Sequence, residues 1–422
     1  MDYHRTVLPN GARLITVPMP ESPTVTVVVL VEAGSKYETK KISGVSHFLE
    51  HFLFKGSQKR PTPVAISHEL DALGAASNAF TSQENTVYFA KARKDKAVEI
   101  LDIISDLYIN PILPEKELPK EKGVIIQEIS MYEDDPMRHV QDVLMELFYG
   151  DQPAGWNIAG TKGSVGALTR DDLVRYRESH YVASSTVVVL AGAFEERLMA
   201  GKVSVLFDKL SAAPKPEKAK VIDTQKSPAA FLRYKATDQT HIVIGARAFS
   251  TFDPDVPALR LLSVILGGGM SSRLFVKLRE ELGICYYIGA SSDLFTDHGL
   301  FQVAAGVDTA RAPLAVKTII EELGKVKNEA VPAKELRKAK DYLIGNIYLG
   351  LESTDERALF YGGQEVAGKP IKTPAQVTAE IEAVTSSDIE RVARRLFVAR
   401  HINLAMVGPF KEGTEFLPLL KL

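Results

Sequence analysis

The 422-residue sequence has little cysteine and little net charge, and each shortage excludes a class of protein. Cys285 is the single cysteine, so an internal disulfide cannot form and a reducing compartment is expected. The formal net charge of −2 provides no field that would attract nucleic acid or an anionic membrane. Lysine and arginine are scattered along the chain and form no basic stripe. We therefore expect no nucleic-acid partner.

Long apolar runs are also missing. No stretch approaches the length needed to cross a bilayer, and the first residues contain an acid and no apolar core of a signal peptide. The composition, 45% hydrophobic and 25% charged, is typical of globular proteins. These features predict a cytoplasmic protein without a membrane partner. Because the chain is longer than one compact core usually allows, two domains are expected.

The most informative stretch runs from Gly44 to Gly56. It contains His47, Glu50 and His51, which form a His-x-x-Glu-His pattern in an apolar run. On a helix the two histidines lie one turn apart on the same face, so both imidazoles can bind one cation. This is the inverted form of the zinc-protease motif, in which the glutamate is a general base and not a ligand. Ser43 is the predicted N-cap.

A core helix is the alternative interpretation of this stretch. In that case the apolar side chains pack and the histidines make ordinary hydrogen bonds. The apolar side chains concerned are Phe48, Leu49, Phe52 and Leu53.

A hydrolytic zinc site needs a third protein ligand and an open position. The chosen candidate is Glu128, on a predicted helix further along the chain. By spacing alone it competes with Glu133, Asp134 and Asp135, and each of these acids is also compatible with a solvated helix face. Glu121 precedes Glu128 by two helical turns, so it lies on the same face and could orient a ligand.

Sequence patterns of the first half recur in the second half. Pro114–Leu118 corresponds to Pro332–Leu336, and Thr169–Leu173 corresponds to Thr385–Ile389. Two copies of one α+β unit are therefore predicted, each a mostly antiparallel sheet with helices packed on one face. Glu128 falls on Asn346 in the second copy, which also lacks a His-x-x-Glu-His motif. The predicted division is a zinc-bearing domain at 1–210, a linker at 211–222 and a domain without zinc ligands at 223–422.

The motif His47–His51, followed by Phe54-Lys55-Gly56, resembles the signature of the insulinase/pitrilysin metallopeptidases. The similarity is greatest to the branch that contains mitochondrial processing peptidase and its bacterial relatives. It continues through Ser77–Tyr88, Glu121–Glu128 and Leu266–Gly283. The resemblance implies that Glu128 is the third ligand of one Zn²⁺ per chain and that Glu121 assists. It also implies that Glu50 activates the zinc-bound water.

The resemblance assigns further residues to the substrate. It implies that Arg279 and Tyr286 bind the peptide and stabilise the tetrahedral intermediate, as a guanidinium and a phenol can. Without the resemblance, these two residues fit an ordinary helix and the strand after it. The family also has a substrate-pairing edge strand, which an extended peptide joins through backbone hydrogen bonds. The corresponding residues here are Ser77, Asn78, Ala79 and Phe80.

The family resemblance also implies an assembly. Relatives build each half of a clamshell from two such units, so this chain corresponds to one half. Because it carries both the zinc motif and the Arg279/Tyr286 pair, a homodimer is expected, with that pair reaching the partner's zinc. A heterodimer is the alternative assembly.

The leading hypothesis is a zinc-dependent endopeptidase that hydrolyses peptides or unfolded polypeptides inside a closed dimeric chamber. The alternatives are a specific presequence-processing peptidase and a non-catalytic scaffold or binding subunit that needs a partner.

Overall fold

The computed structural model describes residues 2–410 and 416–422 and organises them around two β-sheets. The strands are β1 (His4–Val7), β2 (Arg13–Pro18), β3 (Thr24–Val31), β4 (Ala76–Thr81), β5 (Thr86–Arg93), β6 (Thr186–Gly192), β7 (Ala229–Tyr234), β8 (Gln239–Ala248), β9 (Cys285–Leu294), β10 (Gly299–Asp308) and β11 (Ile402–Gly408). The helices are α1 (Val45–Leu53), α2 (Pro63–Ala72), α3 (Ala97–Ile109), α4 (Leu118–Asp134), α5 (Pro136–Tyr149), α6 (Lys162–Ala167), α7 (Arg170–His180), α8 (Glu196–Phe207), α9 (Val256–Gly267), α10 (Ala312–Asn328), α11 (Ala333–Gly350), α12 (Thr354–Val366), α13 (Pro374–Ala383) and α14 (Ser386–Leu396). A π-helical segment covers Phe275–Glu281.

The first sheet has the strand order β1-β2-β6-β3-β5-β4 and is antiparallel except between β2 and β6. β3 is buried along nearly its whole length, as its run of β-branched residues predicts. One face of the sheet packs against α1, α3 and α7. The apolar spacing in α3 puts four side chains on one face, and all four are buried there. They are Ile100, Ile103, Ile104 and Leu107.

The opposite face of the first sheet is covered by α12, which comes from the second half of the chain. Ala358 and Tyr361 on this helix are buried with Val28 and Val189 of the sheet. A Cβ atom on Gly362 would lie 2.8 Å from a methyl group of Leu30, so the glycine lets the helix pack closely on the sheet. The first compact unit therefore includes a segment, Tyr348–Thr373, that lies far along the sequence.

The second sheet has the strand order β7-β11-β8-β10-β9 and is antiparallel except between β7 and β11. Helices of the second half, including α9, α10 and α14, pack on one face. The other face is covered by α5, from the first half, whose Val140 and Leu144 are buried with Val243 and Val407. The second compact unit therefore includes Ser130–Trp156.

The predicted α+β class with two mostly antiparallel sheets is confirmed. Helices pack on both faces of each sheet, and not on one face as predicted, because α12 and α5 cover the second faces. The exchange of two helices between the halves, α12 onto the first sheet and α5 onto the second, was not predicted, and each compact unit is built from separate stretches of the sequence. Among the residues described, no helix combines the length and apolar character required to cross a membrane.

Candidate active site

Helix α1 presents the His-x-x-Glu-His motif. Its apolar side chains Phe48, Leu49, Phe52 and Leu53 are fully buried, as the core-helix interpretation expects. The helix begins after Gly44, so the predicted N-cap at Ser43 is wrong by one position. Gly44 has a φ of 92°, and a Cβ atom there would lie 2.6 Å from the carbonyl oxygen of Ala159. Only glycine fits this conformation and this contact.

Three donor atoms converge beside α1. Nε2 of His47 lies 3.6 Å from Oε2 of Glu128, and Nε2 of His51 lies 3.4 Å from the same oxygen. Ligands bound tetrahedrally to one zinc at about 2.0–2.1 Å are about 3.3–3.4 Å apart, so these spacings fit a single ion. In the described part of the chain, this is the one such group of three or more potential ligands. The competing acids Glu133 and Asp134 do not belong to it.

The two histidines differ in their charge. Burial, followed by the nearby charge of His51, lowers the pKa of His47 to about 4, so its ring is neutral at neutral pH and ready to bind a metal. Burial also lowers the pKa of His51, but hydrogen bonds to Glu121 and Glu128 outweigh it and raise the pKa to about 9. Without metal, these two carboxylates therefore favour the protonated form of the His51 ring. A divalent cation would replace this proton.

Glu121 contacts the His51 ring at Nδ1, opposite the Nε2 atom that faces Glu128. Oε1 of Glu121 lies 2.9 Å from Nδ1 of His51, and Oε2 lies 2.6 Å from Nζ of Lys55. Burial raises the pKa of Glu121, but the hydrogen bonds from His51 and Lys55 bring it below its ordinary value. Such a carboxylate fixes the orientation and tautomer of a metal-binding imidazole. Sequence reasoning missed Lys55, because its partner Glu121 lies on another helix and only folding brings the two together.

Glu50 does not belong to this group of three ligand candidates. Its Oε2 accepts a hydrogen bond of 2.6 Å from Oγ1 of Thr81, the last residue of β4. Burial raises the pKa of Glu50, while the Thr81 hydrogen bond lowers it. A buried carboxylate with a raised pKa is suited to accept and return a proton near neutral pH. Sequence reasoning also missed Thr81, which directly follows the four residues predicted to bind substrate.

Those four residues, Ser77, Asn78, Ala79 and Phe80, lie in β4, the edge strand beside β5. Ser82 donates its backbone N–H to Asn85 in the connecting turn. Because antiparallel pairs alternate along the ladder, the N–H of Ala79 then points to the free edge. It donates to Oδ1 of Asn78 at 2.9 Å. The edge is therefore open to an added strand.

Arg279 and Tyr286 lie in the second compact unit and contact each other. Nη1 of Arg279, in the π-helical segment, donates to the backbone oxygen of Tyr286 at 2.5 Å. The guanidinium also lies 5.7 Å from the Tyr286 ring centroid and 5.1 Å from that of Phe275. Tyr286 is 72% exposed, so its phenol is free to reach a ligand or another protein.

Comparisons with known proteins agree with this description. The family described as Insulinase (Peptidase family M16) matches residues 13–162, and the Peptidase M16 inactive domain matches residues 167–343. An uncharacterized zinc protease of Streptomyces coelicolor is 32% identical over 97% of this chain and 90% of its own length. The uncharacterized zinc protease YmxG of Bacillus subtilis is 32% identical over 95% of this chain and 97% of its own.

Solved structures share the fold. A protease from Helicobacter pylori has a TM-score of 0.90 at 21% identity and covers 96% of this chain and 99% of its own. A peptidase M16 inactive domain from Pseudomonas fluorescens has a TM-score of 0.88 at 19% identity, over 97% and 99% of the two chains. The family matches cover most of the sequence, and the relatives extend along nearly all of it. The chain therefore belongs to the insulinase family of zinc metallopeptidases, peptidase family M16.

Proposed function

We propose that this protein is a zinc-dependent endopeptidase in which Glu50 is the general base. The observation that carries the proposal is the convergence of His47, His51 and Glu128, with the carboxylate of Glu50 beside them but outside the ligand set. The spacing of the three donor atoms fits a tetrahedral ion with one position left open. The zinc protease relatives support the same chemistry.

His47, His51 and Glu128 would hold the metal, and Glu121 would keep His51 in its binding orientation. A zinc ion bound there would lower the pKa of water to about 7 and polarise the peptide carbonyl. Glu50 accepts a proton from the attacking water and then gives it to the leaving amine, which completes the hydrolysis. The hydrogen bond from Thr81 keeps the carboxylate of Glu50 directed during both transfers.

The substrate class follows from the edge strand β4. An extended peptide can pair with the outward-pointing N–H of Ala79, replacing its hydrogen bond to Oδ1 of Asn78, and with neighbouring backbone groups, which requires a segment without its own secondary structure. Peptides and unfolded polypeptides are therefore the proposed substrates. Because such pairing reads the main chain more than the side chains, it favours no particular sequence, and nothing in the site favours a dedicated presequence.

The proposed assembly is a homodimer that encloses a chamber, in the cytoplasm. Arg279 and Tyr286 would contribute to the zinc site of the other protomer. Mixing two inactive variants, Glu50→Gln and Arg279→Ala, tests this arrangement. Half of the randomly mixed dimers are heterodimers with one intact site each, so about one quarter of wild-type activity should return. If mixing restores no activity, the shared site is wrong.

The function itself is tested by comparing wild type with Glu50→Gln. We expect one zinc per chain in both proteins, measured by elemental analysis, and cleavage of an unfolded polypeptide by the wild type alone. Glu117→Gln, on the surface before α4, is the control and should keep both properties. Zinc and peptide binding without cleavage by any of the proteins would instead favour a non-catalytic binding subunit. A wild type without metal would overturn the assignment of the ligands.

A further inference from the structure

A buried carboxylate lies behind the metal-binding helix. Glu38 is 5% exposed and follows β3 in a short irregular segment. Its two oxygens accept hydrogen bonds from the backbone N–H groups of Gly44, at 2.7 Å, and Ser46, at 2.8 Å. These groups belong to the N-cap and the second residue of α1, so a side chain from outside the helix caps it.

The first turn of α1 depends on this external cap. Gly44 has no side chain that could accept a hydrogen bond, and the contact with Ala159 excludes any residue with a Cβ atom. His47 is the third residue of the helix, so it lies within the turn that frays first when a cap is lost. The position of its imidazole therefore depends on Glu38, although the two side chains belong to separate elements.

The same segment also contacts the turn after β4. The backbone N–H of Ser35 donates to the carbonyl of Ser82 at 3.2 Å, and that of Lys36 donates to Gln83 at 2.8 Å. Thr81, which directs Glu50, directly precedes Ser82. Residues 35–38 are thus hydrogen-bonded both to α1, which carries His47, Glu50 and His51, and to the hairpin whose Thr81 donates a hydrogen bond to Glu50.

We propose that Glu38 is a positioning residue, which fixes the first turn of α1 so that His47 and Glu50 keep the geometry needed for metal binding and proton transfer. The inference rests on the proposed function, since it concerns the same site. Glu38 acts through Gly44 and Ser46 and is neither a ligand nor a proton carrier in the reaction. Removing its second acceptor oxygen should loosen the site without unfolding the protein.

The test uses Glu38→Gln, because glutamine offers one acceptor oxygen and presents an amide donor to the other backbone N–H. Burial raises the pKa of Glu38 to about 8, against the hydrogen bonds from Ser46 and Gly44, so the assays belong at about pH 9, where the carboxylate is ionised. We expect the zinc dissociation constant to rise 10- to 100-fold, the range found when groups that orient ligands are lost. We also expect kcat to fall with little change in KM.

Glu195→Gln is the matched control. Glu195 is itself the N-cap residue of α8 and is exposed, and its carboxylate accepts hydrogen bonds from the backbone N–H groups of Arg197 and Leu198, but α8 carries none of the site residues. Replacing the Glu195 carboxylate should lower the melting temperature and leave zinc affinity and kcat unchanged. If Glu38→Gln, assayed well below its own melting temperature, binds zinc and turns over as the control does, the inference is wrong.

A second variant keeps the test decisive if Glu38→Gln does not fold. Glu38→Asp retains the charge but is one methylene shorter, so zinc affinity should fall by less than with glutamine and still measurably. Wild-type zinc affinity in this variant would overturn the inference. Zinc affinity is read separately from cleavage, so an inactive wild type would refute the proposed function and still leave the role of Glu38 measurable.

Discussion

At the scale of single residues, the two histidines of the motif are held in different ways. His51 has carboxylates on both sides, Glu121 at Nδ1 and Glu128 at Nε2. Nδ1 of His47 is buried and has no hydrogen-bond partner among the described residues. The ring of His47 therefore depends on packing and on the backbone of its helix, whereas polar contacts orient His51. We therefore expect substitutions of polar neighbours to disturb His51 more than His47.

Replacing Thr81 with valine should impair Glu50, the proposed general base, without removing the metal. Valine keeps the β-branched shape in β4 but cannot donate to Glu50, whose pKa then rises further because the hydrogen bond that lowers it is gone. The acid limb of the kcat/KM profile should move to higher pH, since an ionised Glu50 becomes less available at a given pH. At neutral pH, kcat/KM should fall roughly tenfold, as expected for a lost hydrogen bond to a charged group.

Thr81→Ser retains the hydroxyl and is the control for this substitution. It should keep the wild-type pH profile, and zinc content should be the same in all three proteins. An unshifted acid limb in Thr81→Val would show that the hydrogen bond to Glu50 does not tune the base.

Replacing Glu121 with glutamine should weaken metal binding. Glutamine cannot carry the charge that holds His51 and Lys55, so the imidazole loses its fixed orientation. We expect zinc affinity, measured by competition with a chelator, to fall 10- to 100-fold. Glu115→Gln, which changes an exposed acid just before α4, should leave the affinity unchanged. Equal affinities in the two variants would contradict the role given to Glu121.

The sequence could indicate only part of this site. The spacing of His47 and His51 follows from helical periodicity, so it is visible in the sequence. The choice of Glu128 over neighbouring acids needed the family resemblance, because several acids share that region. Thr81 and Lys55 gain their roles from side chains brought close by folding, and no local pattern marks such contacts.

At the scale of elements, the free edge of β4 makes a separate prediction about substrate binding. Ala79→Pro removes an outward-pointing N–H while sparing the ladder with β5, and proline is tolerated on edge strands. If peptides bind by strand addition, KM should rise several-fold while kcat and zinc content stay near wild type. The control for folding is the thermal unfolding midpoint. An unchanged KM in a stably folded variant would argue against peptide pairing at this edge.

Elements with strong periodicity were predictable, whereas their ends were less so. The apolar face of α3 and the β-branched run of β3 indicate their structures directly. The start of α1 was misplaced because Ser43 is a good N-cap by residue type. The contact between Gly44 and Ala159 and the acceptor Glu38, which lies outside the helix, decide this boundary instead, and the residue type at position 43 reveals neither.

At the scale of the whole molecule, internal repetition predicted two similar sheets but not the exchange of α5 and α12. Repeats reveal which elements correspond, and they do not reveal which sheet a helix covers. An isolated fragment of residues 1–210 would contain the strands of the first sheet without α12. The face it leaves uncovered is apolar and includes Ile15, Val17, Val28, Leu30, Val187 and Val189.

We therefore expect the 1–210 fragment to bind a hydrophobic dye and to self-associate, because a patch of this kind is not left open in a stable monomer. Adding a peptide of residues 348–373 should reduce both effects and restore cooperative unfolding, measured by circular dichroism, although the apolar face of α5, which packs on the second sheet in the full chain, stays uncovered. The same peptide with Tyr361→Asp is the control, since it places a charge in the buried contact and should fail to rescue. A fragment that is monomeric, dye-free and cooperative without the peptide would show that α12 is dispensable. The reverse result would mean that the first half of the chain needs α12 from the second half to complete its core.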